Sequence, residues 1–104
     1  MQLEILDHAE RDLESGFHFY EKQRSGLGDY FLHSLYGEID SLIIFGGIHP
    51  VVFGYHRLLS HNFPFAVYYL LHDDVVEVWA VVDCRRNPTR MKQKLKKLKK
   101  VMKR

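Results

Sequence analysis

A short polar stretch, DCRRNP, joins a nearly pure apolar run to the most basic part of the chain. It spans Asp83 to Pro88, and the apolar run before it is Val75 to Val82. The adjacent guanidinium groups of Arg85 and Arg86 suit carboxylates or phosphates, which arginine binds through paired hydrogen bonds. Because side chains alternate along a strand, one arginine is predicted to pair with Asp83 or helix carboxylates and the other to face a target. The alternative is that both arginines only anchor the fold.

Histidine and cysteine are the other side chains in this sequence that could take part in catalysis or bind a metal. His56 and His61 flank the end of a predicted strand, where either could act as a general base or have only a structural role. The seven histidines match no metal-binding spacing, so we expect no metal site and no cofactor. The single cysteine, Cys84, excludes an internal disulfide. It is either a thiol whose pKa is lowered by Arg85 or a small buried side chain.

The charges of the chain are divided between two segments. Residues 1–84 hold 4 of the 15 Lys and Arg residues and all 13 Asp and Glu residues, a formal charge of −9. Residues 85–104 hold the other 11 basic residues and no acid, a formal charge of +11. We therefore expect a cationic arm that rests against the acidic body and binds an anionic partner, with Arg90, Lys92 and Lys96 among its contacts. The alternative is a solvated, disordered terminus.

Length and composition predict one domain with a hydrophobic core. Of the 104 residues, 46% are hydrophobic and 13% aromatic, which is too many for a disordered protein. The start of the chain, MQLEILDHAERD, lacks the basic and apolar regions of a signal peptide. No apolar run approaches the roughly 18 residues that a membrane span needs. We expect a cytoplasmic protein with no membrane partner.

Hydrophobic periodicity predicts a short strand followed by a helical hairpin. The strand is residues 2–6, and Asp7 is then expected to cap the first helix, with Glu10 completing a capping box. Apolar residues recur at helical spacing up to a glycine near residue 26, and again up to the glycines at 46 and 47. Gly16, inside the first helix, indicates close packing.

The next part of the chain predicts an antiparallel meander of three strands, Val51 to Leu59, Phe65 to Leu71 and Val75 to Val82. The element order is β-α-α-β-β-β. This is an α+β fold in which an antiparallel helical hairpin packs on one face of a small, mainly antiparallel sheet. The predicted core between the two layers comprises Leu13, Phe17, Phe31, Leu35, Ile39, Val67, Val78 and Ala80.

After Pro88 the sequence predicts a basic C-terminal helix or tail. Met91, Leu95, Leu98 and Met102 recur at i, i+4, i+7 and i+11, with lysines on the other sides. Exposed ion pairs are individually weak, so the arm is expected to be held loosely unless this apolar stripe finds a groove on the body. The sheet face away from the hairpin offers such a groove.

Three stretches, taken in order, resemble the RelE/ParE toxin superfamily of bacterial type II toxin–antitoxin modules, in its plasmid stabilisation branch. They are AERDLESGFHFYEKQRSGLGDYFLHSL in the hairpin, YHRLLSHNFPFAVYYLL in the middle strands and VVEVWAVVDCRRNP in the last strand. The resemblance covers residues 2–88. It implies a toxin domain in residues 1–88, followed here by the basic arm in 89–104, and a cognate antitoxin protein as partner.

The resemblance leaves the target open. RelE-like members are ribosome-dependent mRNA endoribonucleases, whereas ParE-like members inhibit DNA gyrase and have no known catalytic chemistry. Ribonuclease members commonly have an arginine where this chain has Ala66, and a Tyr or His-Tyr pair shortly after the last strand, where this chain has residues 87–90. These departures favour a toxin that binds its target over one that cleaves RNA.

We therefore predict a ParE-like toxin, with an atypical RelE-type endoribonuclease as the alternative. A third hypothesis is a degenerate, non-toxic relative whose basic tail binds an anionic partner. The residues predicted to contact the target or antitoxin are Arg57, Arg85, Arg86, Arg90, Lys92 and Lys96. If the chain is a ribonuclease, the candidate catalytic residues are His56, Arg57, His61, Arg85 and Arg86.

Overall fold

A computed structural model describes residues 1–101 and confirms the predicted α+β architecture. Five strands form one sheet in the order β1-β5-β4-β3-β2, in which only the β1–β5 pairing is parallel. The chain order is β1 Gln2–Ile5, α1 Asp7–Gln23, α2 Leu27–Asp40, α3 Leu42–Phe45, β2 Val51–Val52, β3 Tyr55–Leu59, β4 Phe65–His72, β5 Val75–Asp83 and α4 Pro88–Val101. No helix in this range is long and apolar enough to cross a membrane.

The helices α1 and α2 form the predicted hairpin, and its turn is fixed by a carboxylate. Glu21 accepts hydrogen bonds from the backbone N–H groups of Gly26 and Gly28, at 3.1 and 3.0 Å. Gly16 faces Phe31 so closely that a Cβ there would overlap the ring, which confirms close packing at this glycine. The two helices can therefore pack closely against each other.

The predicted capping box at the start of α1 is wrong. Asp7 is the first helical residue, and Leu6 occupies the cap position without a side-chain hydrogen bond. The reason is that the strand continues into the helix without a spare residue. Leu6 N–H still donates to the Val78 carbonyl at 3.0 Å as a continuation of the β1–β5 pairing. Asp7 and Glu10 nevertheless lie in the first turn, where acidic side chains favour the helix dipole.

The first core lies between the hairpin and one sheet face, as predicted, with two exceptions. Phe17 is only partly buried. Ala80 is buried but lies on the opposite face, because a β-bulge at Trp79 shifts the pairing from Tyr69↔Val78 to Tyr68↔Ala80. The six correctly predicted members are Leu13, Phe31, Leu35, Ile39, Val67 and Val78.

The segment Val51 to Leu59, predicted as one strand, is a tight hairpin of β2 and β3. Phe53 and Gly54 both have positive φ, 57° and 83°, so the chain reverses there within two residues. The predicted second helix is also divided, since α2 ends at Asp40 and α3 follows after Ser41. The sheet consequently has an additional, two-residue edge strand.

The second core lies on the other sheet face, beneath α4. Met91 and Leu95 of α4 are buried there, with Leu98 packed against them, and Leu95 is 0% exposed. Met102, the fourth residue of the predicted stripe, lies outside the described residues. The basic helix is therefore docked on the sheet by an apolar stripe, and its charged sides are turned away from that contact.

Candidate functional site

A groove of about 900 Å³ runs between α1 and α4 along the C-terminal end of β5. One wall is α1, the floor is the end of the sheet with Phe65, Val81 and Val82, and the other wall is α4. Phe19, half exposed, adds an aromatic surface on the α1 side. A groove with an apolar floor and polar walls is suited to bind a segment of another molecule.

The floor of the groove includes a strand edge that β1 does not cover. β1 pairs with β5 only from Val75 to Val78, so the second half of β5 has no strand neighbour on that side among residues 1–101. Instead, the Asp12 carboxylate of α1 accepts a hydrogen bond from Val81 N–H at 2.9 Å. The Asp12 side chain thus accepts a hydrogen bond from a backbone N–H group that would pair with a neighbouring strand in a longer sheet.

The electrostatic environment of Asp12 combines burial with nearby cations. Burial raises the pKa of the Asp12 carboxyl above its usual value, and the Val81 hydrogen bond opposes that shift. His8, whose Nδ1 lies 3.3 Å from Asp12 Oδ2, and the cations Lys94 and Arg86 also lower the pKa, by smaller amounts. The carboxylate at the open edge is therefore less stable in its charged form than an exposed one.

The α4 wall presents a cationic stripe to the groove. Arg90, Gln93, Lys94 and Lys97 line it at i, i+3, i+4 and i+7. The helix is held by its other sides: the Tyr55 hydroxyl donates to the Leu95 carbonyl at 2.6 Å, and Lys99 Nζ donates to the Gly54 carbonyl at 3.0 Å. Lys99 Nζ also lies 4.8 Å from the Tyr55 ring centroid. Burial raises the pKa of Tyr55 to about 12, so its hydroxyl remains a donor at neutral pH.

Arg85 and Arg86 have different surroundings, as their adjacency predicted. Arg85 binds Asp83 through two side-chain hydrogen bonds, Nε to Oδ1 at 3.0 Å and Nη2 to Oδ2 at 2.7 Å. This pairing lowers the pKa of Asp83. Arg86 lines the groove. A turn after β5, in which Arg86 N–H donates to the Asp83 carbonyl at 3.2 Å, produces this separation in place of strand alternation.

The remaining predicted binding cations lie outside the groove lining. Lys92 and Lys96 are exposed on α4, away from the stripe that faces the groove. Arg57 is on β3, on the sheet face that α4 covers, directly opposite Tyr68 of β4. Its Nε atom is buried without a hydrogen-bond partner. Burial raises the pKa of Tyr68, and the neighbouring Arg57 partly offsets this.

The two histidines predicted as possible bases lie apart from Arg57 and Arg86. His56 is on the hairpin side of the sheet, where its ring stacks on Tyr69 with centroids 5.1 Å apart. Its Nδ1 lies 2.8 Å from the His49 carbonyl and must donate to it. His61 is in the exposed β3–β4 loop, 3.9 Å from a Glu38 oxygen. The five candidate catalytic side chains are thus distributed over both sheet faces, one loop and the turn after β5.

Neither prediction for Cys84 is correct. The residue is exposed, and partial desolvation raises the pKa of its thiol more than Arg57 lowers it. Within residues 1–101 no group of three or more His, Cys, Asp or Glu side chains is placed to hold a metal ion.

Sequence reasoning missed Asp12, Lys94 and Lys97 as groove residues. The lysines carried a usable signal, since they continue the helical spacing of Arg90 beside the apolar stripe. No sequence pattern marked Asp12 as a groove residue. Its contact with Val81 arises because β1 pairs with β5 only as far as Val78 and leaves Val81 without a strand partner on that side.

Comparisons with known proteins show which fold the chain shares. No protein-family model matches the chain, and no curated protein sequence matches it significantly. Among solved structures, a chain of the "Chromosomal ParDE TA system from P. aeruginosa" matches with a TM-score of 0.71 and 16% sequence identity. The match covers 80% of this chain and 95% of that chain. The protein therefore has the fold of a chain from a ParDE toxin–antitoxin system.

Proposed function

We propose that the chain is the toxin component of a type II toxin–antitoxin module and that it acts by binding a target of the DNA gyrase class. The fold shared with a chain of a ParDE system supports the toxin assignment. So do the three ordered sequence stretches that resemble the RelE/ParE superfamily. The observation that carries binding as the mode of action is the groove, which combines cations, an apolar floor and an open strand edge.

The distribution of the candidate catalytic residues supports binding over cleavage. Cleavage of RNA through its own 2′-hydroxyl needs a base, a cation and a proton donor within reach of one phosphate. His56 donates to a backbone carbonyl on the hairpin side, whereas Arg86 is in the groove at the end of β5. His61 lies beside Glu38. These positions do not surround a common phosphate.

The groove suits an acidic, extended segment of a cognate antitoxin. Arg86, Arg90, Lys94 and Lys97 supply positive charge along it. An added strand can pair with the edge of β5 that β1 leaves uncovered, a common mode of peptide recognition, once it displaces Asp12 from the Val81 N–H. Residues 1–84, with a formal charge of −9, form a poor general nucleic-acid surface, because phosphate contacts supply most nonspecific affinity. We assign residues 1–88 to the toxin body and 89–104 to the cationic arm, in a protein that works in the cytoplasm.

Expression in cells tests the proposal. We expect growth arrest that the neighbouring antitoxin gene relieves, inhibition of gyrase supercoiling by the purified protein, and no discrete cuts in translated messages by primer extension. Codon-dependent cuts abolished by Arg86→Ala or His56→Ala would establish the endoribonuclease instead. Normal growth at full expression would favour the non-toxic relative whose basic tail binds an anionic partner.

A further inference from the structure

A patch of exposed apolar side chains lies at the end of the molecule opposite the groove. We call it the apolar end. Its most exposed members are Ile44, Ile48 and Val51, which are 76%, 72% and 64% exposed. The full set is Ile43, Ile44, Phe45, Ile48, Val51 and Leu71. Single exposed apolar residues are common, but a contiguous group marks an interaction surface.

Backbone contacts join these residues into one surface. A Cβ on Gly47 would lie 3.0 Å from Leu71 Cδ1, so the α3–β2 loop touches the end of β4. The N-terminal amino group donates to the Ile43 carbonyl at 3.3 Å, which places α3 beside the start of β1. Val51 pairs with His56, and Leu71 follows Tyr69 by two, so both side chains lie on the hairpin side of the sheet. The α1–α2 hairpin leaves this part of that face uncovered.

The apolar end also includes one free edge of the sheet, on the side opposite β1. β2 is the edge strand, and Val52 and Tyr55 flank the two-residue turn to β3. In such a hairpin the flanking pair exchanges both backbone hydrogen bonds, and the next residue outward turns its N–H and C=O away from the partner strand. That residue is Val51. Arg57 N–H donates to the Pro50 carbonyl at 2.9 Å, in agreement with this alternation.

The charge distribution favours a second copy of the chain as the partner at this surface. From Ser41 to His72 the chain has one Asp, Glu, Lys or Arg residue, Arg57, and its side chain is on the opposite sheet face. In a two-fold dimer each surface meets its own copy. Elsewhere such a contact would bring the acidic body against acid or the basic helix against base. At the apolar end, residues 41–72 add no such repulsion, and the nearest charges are of opposite sign, the N-terminal amino group on the Ile43 carbonyl and Asp73 and Asp74 in the turn after β4.

We propose that the apolar end is a homodimer interface, in which two copies pair their β2 edges antiparallel about a two-fold axis at Val51. Reciprocal Val51 N–H and C=O hydrogen bonds join the two sheets, and the apolar side chains of both copies bury one another. The proposal concerns a surface distinct from the groove, so it stands whether or not the chain is a toxin.

Sedimentation velocity over a wide range of protein concentration tests the dimer. We expect the wild type to dimerise and to dissociate on dilution, and Ile44→Lys or Ile48→Lys to weaken the dimer at least tenfold with unchanged circular dichroism. Val101→Lys is the matched control, since Val101 is 75% exposed but lies on α4, and it should leave the dimer intact. A wild type that is monomeric throughout would overturn the proposal. So would a dimer that survives both lysine variants or is lost equally in the control.

A charge-pair experiment tests the two-fold axis itself. Val51→Lys and Val51→Glu proteins should each be monomeric, because each variant places like charges together across the axis. Mixed in equal amounts, they should form a heterodimer that salt weakens. A mixture that stays monomeric would show that the two-fold axis does not pass through Val51. Suppose instead that the wild type is monomeric and that the Ile44→Lys variant loses antitoxin binding. The antitoxin would then bind this surface, and the proposal would fail.

Discussion

The two ends of β5 offer opposite kinds of surface. At its C-terminal end, the groove places Arg86, Arg90 and Lys94 beside an open strand edge. At its N-terminal end, Leu71 and the α3 region form a mainly apolar surface, with the N-terminal amino group and the turn of Asp73 and Asp74 beside it. Charge at an interface excludes like-charged partners, whereas a neutral apolar surface accepts its own copy. We therefore expect this small domain to bind a different molecule at one end of β5 and a second copy of itself at the other.

The largest expected effect comes from truncating Leu95, which anchors α4 on the sheet, and it should affect the groove end without affecting the apolar end. Leu95→Ala should lower the free energy of unfolding by about 2–5 kcal/mol, because Leu95 is completely buried and its loss leaves a cavity. Urea denaturation measures this, with Leu35→Ala in the hairpin core as a reference of similar cost. Self-association through the apolar end should persist. A loss under about 0.5 kcal/mol, the usual range for surface substitutions, would mean that α4 is not docked through Leu95.

A charge reversal tests whether the groove face of α4 is the side that binds. Arg90→Glu with Lys94→Glu should weaken binding of the cognate antitoxin by about 1.5–3 kcal/mol, roughly 10- to 150-fold, and flatten its salt dependence. Lys92→Glu with Lys96→Glu changes the net charge equally on the exposed side and serves as the control. Equal losses in the two double variants would assign the effect to overall charge instead of to the groove.

The smallest predicted effect is a pH dependence of stability at the groove end. The raised pKa of Asp12 means that the folded state holds this proton more tightly than the unfolded state, so stability falls as pH rises from about 3.8 through the folded pKa. A tenfold difference in proton affinity between the two states corresponds to about 1.4 kcal/mol. Asp12→Asn keeps an acceptor for Val81 N–H but lacks the titration. Its stability relative to wild type should therefore increase across that pH range in urea denaturation.

Asp83 provides the contrast within the same groove. Arg85 lowers its pKa, so the contribution of Asp83 is present above pH 3.8 and is lost as pH falls through the lowered pKa. Wild type should gain stability relative to Asp83→Asn as pH rises through that lower range. If the Asp12 and Asp83 variants showed the same sign of pH dependence, burial of Asp12 and pairing of Asp83 with Arg85 would not control the titration of the two carboxylates.

Helical periodicity was sufficient to predict the hairpin, whose apolar residues lie on one buried face. The continuous apolar composition of the last two strands was sufficient to predict them, because they are buried on both faces. It failed where one residue changes the register. The bulge at Trp79 moves Ala80 to the α4 face, and nothing in VVEVWAVV distinguishes a bulged strand from a regular one. The turn at Phe53–Gly54 was missed because phenylalanine is rare at positive φ.

The groove was less predictable than the fold, because its parts are far apart in sequence. The spacing of Met91, Leu95 and Leu98 predicted a helix that needs an apolar site, and the sheet face beneath α4 provides it. The pairing of Arg85 with Asp83 also followed from adjacency. That Asp12 would meet Val81 depends on where β1 ends relative to β5, which is a property of the assembled sheet.

The pairing of β1 with β5 has a consequence for how the protein is made. Gln2 lies beside Val75 and Ile5 beside Val78, so β1 is synthesised about 70 residues before β5, its strand partner within residues 1–101. β5 is also the strand on which β4 and the α4 helix pack. The hairpin of α1 and α2 can form early from local contacts. The complete sheet forms only after β5 has been synthesised, and the long-range pairing of β1 with β5 is slow to nucleate. A partial chain on the ribosome therefore has neither the groove nor its floor.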